Sequence, residues 1–181
     1  INSVYAQMTR GKSEKITAMA MSTIASTLGK LAYDICMFSN QNYGFISFPS
    51  ELTTGSSIMP HKKNPDIFEL VRARCNRMQG LPNELILLTN NLPSGYHRDL
   101  QLTKEILFPV IDSLKECLEI LIYTLPNIEV KDNILDDEKY KYIFSVEKIN
   151  EEVKNGKSFR DAYIQIGQEI EKELFEYDYK E

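Results

Sequence analysis

With 181 residues, 43% of them hydrophobic, the chain is long enough to bury one core and too continuous in pattern for several independent domains. Its net charge of −5, with acidic and basic residues mixed along the chain, excludes the electrostatic footprint of a nucleic-acid binder or of a protein held on an anionic membrane. No apolar run reaches the roughly 18 to 20 residues that cross a bilayer and no signal peptide opens the sequence, so a soluble, cytoplasmic protein is expected.

From about Val4 to Phe38 there is no proline, and Ile24, Leu28, Leu31, Ile35 and Phe38 recur at alternating spacings of four and three. That pattern predicts one long helix with a bundle seam. The chain enters this helix without a starting methionine or a clear cap, and its last residues, EIEKELFEYDYKE, carry no helix-ending signal, so both ends read as cuts. Asn40 to Pro60, rich in Ser, Thr, Gly, Asn and Pro, reads as a long loop, which in a compact protein is usually functional. Asn64 and Pro65 have the character of an N-cap and a first helical position.

A second helix is predicted from there to about Asn91, with Ile67, Val71, Met78, Leu81, Leu85 and Leu88 close to one stripe and a bend near Pro82. After a turn at Leu92 to Tyr96, a third helix carries Leu107, Ile111, Leu114, Leu118, Leu121 and Leu125 in the repeat of near-parallel helix packing, with Pro109 as a point of kinking. Pro126 closes it. Two shorter helices follow, roughly Asp137 to Asn155 and Ser158 to Glu176, separated by Gly156. No segment alternates with a period of two for long enough to predict a strand.

The expected fold is all-α, a long-helix bundle over residues 1–125 with its loop at about 40–65, followed by a small helical region over 126–181. Seams this long with few partners in one chain leave apolar stripes uncovered, which predicts burial against other subunits or further chain. Cys36, Cys75 and Cys117 lie among apolar residues at helical spacing. They read as reduced, buried thiols, with neither a disulfide framework nor a metal site.

The segment TTGSSIMPHKKNPDIFEL sets two hydroxyls after a glycine, then two lysines and a helix start, a combination suited to holding an anion. A serine in that positive field ionises more easily than in water and can serve as a base. The same string also reads as a glycine-containing loop, a cap and solvated lysines, and residue types alone leave both readings open.

GSSIMPHKKNP is similar to the signature GSSxMPxKxNP of the fumarase and aspartase superfamily, whose members break a C–N or C–O bond by β-elimination and release fumarate. GYHRDLQLTKE resembles the pattern YNRDLQxDKE of the argininosuccinate lyases, and KNGKSFRDAY looks like their KGxPFRxAH region. The resemblance implies cleavage of argininosuccinate to arginine and fumarate by a homotetramer with shared active sites, with no metal or organic cofactor. It implies that Ser56 removes the proton, that Lys62 and Asn64 hold the carboxylate and its carbanion-like intermediate, and that Glu69 orients a histidine of another subunit.

Tyr96, Gln101 and Lys104 resemble substrate-binding positions, while Arg98 and Asp99 fix the turn by pairing or capping. The catalytic histidine is expected from a portion outside this chain, so the chain alone is expected to be inactive. His61 stands where argininosuccinate lyases more often carry glutamine, a feature shared with adenylosuccinate lyases, which are the alternative enzyme reading. His97 replaces a usual asparagine and reads as a turn residue. A structural homologue, or an oligomerising helical domain, is the reading from another class.

Overall fold

The computed structural model describes residues 2–59 and 61–178. Pro60, which closes the predicted loop and belongs to the first motif, lies outside the described residues, as do the terminal residues 1 and 179–181. The chain divides into two compact units, residues 1–131 and 132–181.

Helix α1, Ser3–Met8, is capped by Asn2, whose side chain accepts from the N–H groups of Val4 at 2.9 Å and Tyr5 at 3.4 Å. The single helix expected from Val4 to Phe38 is two helices, because the chain turns at Thr9–Gly11 and resumes as α2, Lys12–Phe38. Gly11 makes the break possible. Its φ of 84° is a left-handed conformation that L side chains rarely adopt, and its N–H donates to the Glu14 carboxylate at 2.9 Å.

A Cβ at Gly11 would also lie 3.3 Å from Cδ2 of Leu100. Gly11→Ala is therefore expected to destabilise by about 1–2 kcal/mol from backbone strain alone. A thermal melt of the complete protein with an unchanged midpoint would contradict this.

The buried stripe of α2 is Ala18, Met21, Ala25, Gly29, Ala32 and Ile35. Of the large residues expected to form the seam, Ile35 alone is buried; Leu28, Leu31 and Phe38 are half-buried and Ile24 is 45% exposed. Small side chains win the seam because they let the next helix approach closely. A Cβ built on Gly29 would sit 3.4 Å from Cβ of Cys75.

That next helix, α3, spans Asp66–Met78 and buries Phe68, Val71, Cys75 and Met78. The predicted continuation to Asn91 is interrupted at Gln79–Gly80, two residues before Pro82, and resumes as α4, Leu81–Leu88. Pro82 lies in the first turn of α4, where its missing N–H is tolerated. Asn64 is not the cap: Pro65 holds that position without a side-chain bond, and Asn64 lies in a short strand outside it.

Helix α5, Thr103–Thr124, runs through Pro109 and buries Leu107, Leu114, Cys117 and Leu121 against α2, α3 and α4. The thiols of Cys75 and Cys117 meet inside. Burial, reinforced by that neighbour, pushes the Cys75 thiol up to about 11.

Two pairs of two-residue strands, too short to leave an alternating pattern in the sequence, pin the loops. β1, Ile46–Ser47, pairs antiparallel with β4, Glu129–Val130; β2, Thr54–Gly55, pairs with β3, Lys63–Asn64. No helix among the described residues is long and apolar enough to cross a membrane.

In the second unit, the helix expected from Asp137 starts instead at Ser145, after 3-10 turns at Ile134–Asp136 and Glu138–Tyr140, and forms α6, Ser145–Lys154. Helix α7, Phe159–Glu171, is capped by Ser158, which accepts from the Asp161 N–H at 3.2 Å. It stops short of Glu176 because Glu173, at φ 59°, reverses the chain. The reversal returns Phe175 to a core with Ile149, Ala162 and Ile166.

Candidate functional site

The first motif forms a hairpin leading into α3. Thr54 pairs with Asn64 and Gly55 with Lys63, so residues 56–62 make a loop whose two ends are held together. Thr54 also donates through Oγ1 to the Asp66 carboxylate in the first turn of α3, which ties the neck of the hairpin to the helix. Ser56, Lys62 and Asn64 are thus carried on one short, anchored element.

Within that loop, Oγ of Ser56 accepts from the N–H groups of Ile58 at 3.2 Å and Met59 at 3.1 Å, and the Lys62 N–H donates to the Met59 carbonyl at 3.0 Å. Two donors on one hydroxyl oxygen favour its ionised form, the direction a serine base needs. They are equally the ordinary bonds of a serine turn. Ser56 and Asn64 are half-buried, whereas Lys62, Lys63 and Glu69 are exposed. Ile58 is 86% exposed at the tip, an apolar side chain offered outward.

The helix end is less free to bind an anion than its position suggests. Asp66 and Glu69 already place negative charge in the first turn of α3, so an incoming carboxylate depends on the lysines and the Asn64 amide.

The second motif is a 3-10 turn, Arg98–Gln101, running into α5. Nε2 of Gln101 donates to the Tyr96 hydroxyl at 2.9 Å, and the Arg10 guanidinium lies 4.5 Å from the centre of the Tyr96 ring. The hydrogen bond from Gln101, then one from Arg10 with the charges of Arg10 and Arg98, draws the Tyr96 hydroxyl below the usual phenol range. Lys104 is exposed in the first turn of α5.

Two features here were missed in the sequence. Arg10 carried no motif, and the one available hint was the glycine beside it. His97 has a buried Nε2 without a hydrogen-bond partner among the described residues.

The two motifs lie at opposite ends of the bundle. Tyr96 to Gln101 sit at the start of α2, beside Arg10 and Gly11. The hairpin sits at its other end, where Phe48 of the preceding loop packs on Phe68, the rings tilted and their centroids 4.9 Å apart. There burial pushes the Cys36 thiol up, with Arg72 and Glu69 of α3 close enough to act on it. Between these ends run the 27 residues of α2, about 40 Å at a rise of 1.5 Å per residue.

A groove of about 950 Å³ on the flank between α3, α4 and α5 is lined by charged residues such as Arg77, Glu84 and Asp112; it includes Glu105, the last residue of the second motif, but none of the candidate site residues Ser56, Lys62, Asn64, Glu69, Tyr96, Gln101 and Lys104. Among the described residues no cluster of three or more His, Cys, Asp or Glu is arranged to hold a metal ion.

Comparison with known proteins agrees with this architecture. Residues 8–80 match a family described as lyase. The chain is 58% identical over 170 residues to the argininosuccinate lyase of Parabacteroides distasonis, covering 94% of this chain and 38% of that protein. It is 54% identical over 177 residues to that of Bacteroides fragilis (98% and 40%), and 40% identical over 172 residues to that of Thermotoga neapolitana (95% and 43%). The chain thus spans about 40% of the length of the curated relatives it matches.

Among solved structures, an EDDS lyase in complex with formate matches with a TM-score of 0.69 at 21% identity, over 87% of this chain and 32% of that one. A class II fumarase from Schistosoma mansoni matches with a TM-score of 0.66 at 20% identity, over 91% and 36%. At these identities the likeness is one of fold, a helical bundle.

Proposed function

We propose, from the premise that this chain belongs to the lyase family through its argininosuccinate lyase relatives, that it carries two parts of the active site of an argininosuccinate lyase of arginine biosynthesis. In this reading Ser56 takes the proton from the succinyl carbon next to the one bearing nitrogen. The electron pair forms the C=C bond of fumarate, the C–N bond breaks, and the departing guanidino nitrogen of arginine receives a proton from an acid outside residues 1–181. Lys62 and Asn64 stabilise the charge that gathers on the carboxylate as the proton leaves, where fixed cations and amide donors lower the barrier most. Glu69 orients the histidine of another subunit, and Tyr96, Gln101 and Lys104 grip the substrate.

The observation that carries the reading is the hairpin: Ser56, Lys62 and Asn64, separated in residue type and role, are brought onto one element with a pinned neck. His61 is a feature shared with the adenylosuccinate lyase alternative, but relatives 54% and 58% identical to this chain carry the name argininosuccinate lyase.

Tyr96 and Ser56 being at opposite ends of α2 supports a site built from several subunits, and with it a homotetramer. The apolar side chains left outside in one chain, Ile16, Met19 and Ile24 on α2 and Phe108, Leu118 and Ile122 on α5, supply faces for that assembly. Free Cys36, Cys75 and Cys117 suit a reducing compartment, in keeping with a cytoplasmic enzyme.

Following the ultraviolet absorbance of fumarate, the complete protein is expected to release it from argininosuccinate and not from adenylosuccinate. No fumarate from argininosuccinate, or comparable release from adenylosuccinate, would overturn the reading.

A further inference from the structure

We propose that Arg10 is a positioning residue that fixes the Tyr96 hydroxyl as a hydrogen-bond donor aimed at a substrate carboxylate; this rests on the reading of Tyr96 and Gln101 as substrate contacts. A phenol oxygen can accept as well as donate, so an unconstrained tyrosine does not by itself select between an acceptor and a donor on its ligand. Here the accepting side is filled from within the protein. Gln101 donates to the oxygen at 2.9 Å, while the Arg10 guanidinium stacks 4.5 Å from the ring centre, holding the ring in place and keeping a positive charge beside the phenol. With an accepting position taken by Gln101 and a cation held over the ring, the hydroxyl is set to donate its proton to a ligand, and its natural partner is a carboxylate oxygen.

The backbone around Arg10 is built for this placement. A chain needing only a long helix would run from Ser3 to Phe38 without a break, yet it is interrupted at Thr9–Gly11. The interruption requires a left-handed glycine and packs that glycine against Leu100 and Thr89, both within 3.4 Å of a Cβ built there. Leu100 belongs to the same 3-10 turn as Gln101, so the break docks the segment bearing Arg10 beside the turn that carries the donor to Tyr96. Tyr96 remains 45% exposed, leaving its hydroxyl reachable. The lowered pKa of that hydroxyl agrees with a strengthened donor.

The test uses the complete protein with 3-fluorotyrosine at position 96, the variants Arg10→Met and Arg10→Lys, and far-ultraviolet circular dichroism to establish folding. In Arg10→Met the fluorine resonance is expected to titrate at higher pH than in the parent, and KM for argininosuccinate to rise about tenfold with kcat reduced less, the scale of one lost charge-assisted bond. Arg10→Lys keeps the charge but not the planar fork and is expected to fall between, so it also serves if Arg10→Met does not fold.

A titration and a KM that match the parent in a folded variant would overturn the proposal, as would a KM effect without any change in the Tyr96 titration. If the parent itself releases no fumarate, the reading of the substrate fails. Arg10 is then decided by the fluorine titration together with calorimetric binding of fumarate alone: both shifted in Arg10→Met supports the role, and either one unshifted overturns it.

Discussion

Ser56→Ala in the complete protein is expected to lower turnover of argininosuccinate by roughly a thousandfold, with little change in KM and almost none in stability. Among the described residues the hydroxyl makes two bonds, from the N–H groups of Ile58 and Met59, in a loop where both of those residues are exposed. Once the hydroxyl is gone, those N–H groups turn to water, so the loss of stability is small, on the order of 1 kcal/mol or less. The hairpin itself is held by other atoms: the Thr54–Asn64 and Gly55–Lys63 pairings and the bond from Thr54 to Asp66.

A large effect on rate with an unchanged melting temperature therefore isolates the chemistry of Oγ from the architecture around it. The substrate contacts proposed for Tyr96, Gln101 and Lys104 are untouched, which is why KM should hold. Fumarate release by Ser56→Ala within tenfold of the parent would remove Ser56 from the role of base.

How much of this was legible in the sequence differs by element. The helices of the bundle were readable because burying one face of a long helix imposes a period of 3.6, and the stripe from Val71 to Leu85 in α3 and α4 follows it closely. The seam of α2 was misread because hydrophobic size was taken as the signal for burial. The close approach to Cys75 selects Ala25, Gly29 and Ala32, and pushes Ile24 to the rim.

The strands of the hairpin pair within one loop, Thr54 with Asn64 and Gly55 with Lys63, but at two residues each they are too short to leave a period; the break at Gly11 depends on a contact far along the chain, with Leu100, which no local window of sequence holds. The same holds for the site. Its residue types were visible as two motifs, but their separation by the length of α2, and the approach of Arg10 to Tyr96, are properties of how the bundle runs.

Mixing two inactive variants is expected to restore activity, and this follows from that separation. Gln101→Ala removes the bond to the Tyr96 hydroxyl at one end of α2, and Ser56→Ala removes the proposed base at the other, with 27 helical residues between them. A substrate of a few ångströms cannot touch both ends of one chain across about 40 Å, so in the proposed assembly each working site takes its Ser56 end from one subunit and its Tyr96 end from another. When the two variants are co-expressed in equal amounts, half of all Ser56 ends and half of all Tyr96 ends are intact. About a quarter of the sites then combine two intact ends, and the mixture should reach about a quarter of the parent's fumarate release. Ser56→Ala co-expressed with the double variant Ser56→Ala, Gln101→Ala has no intact Ser56 end and should show no recovery. Recovery no greater than the sum of the two variants measured alone would mean that both motifs serve one site within a single subunit, and the shared-site assembly would have to be abandoned.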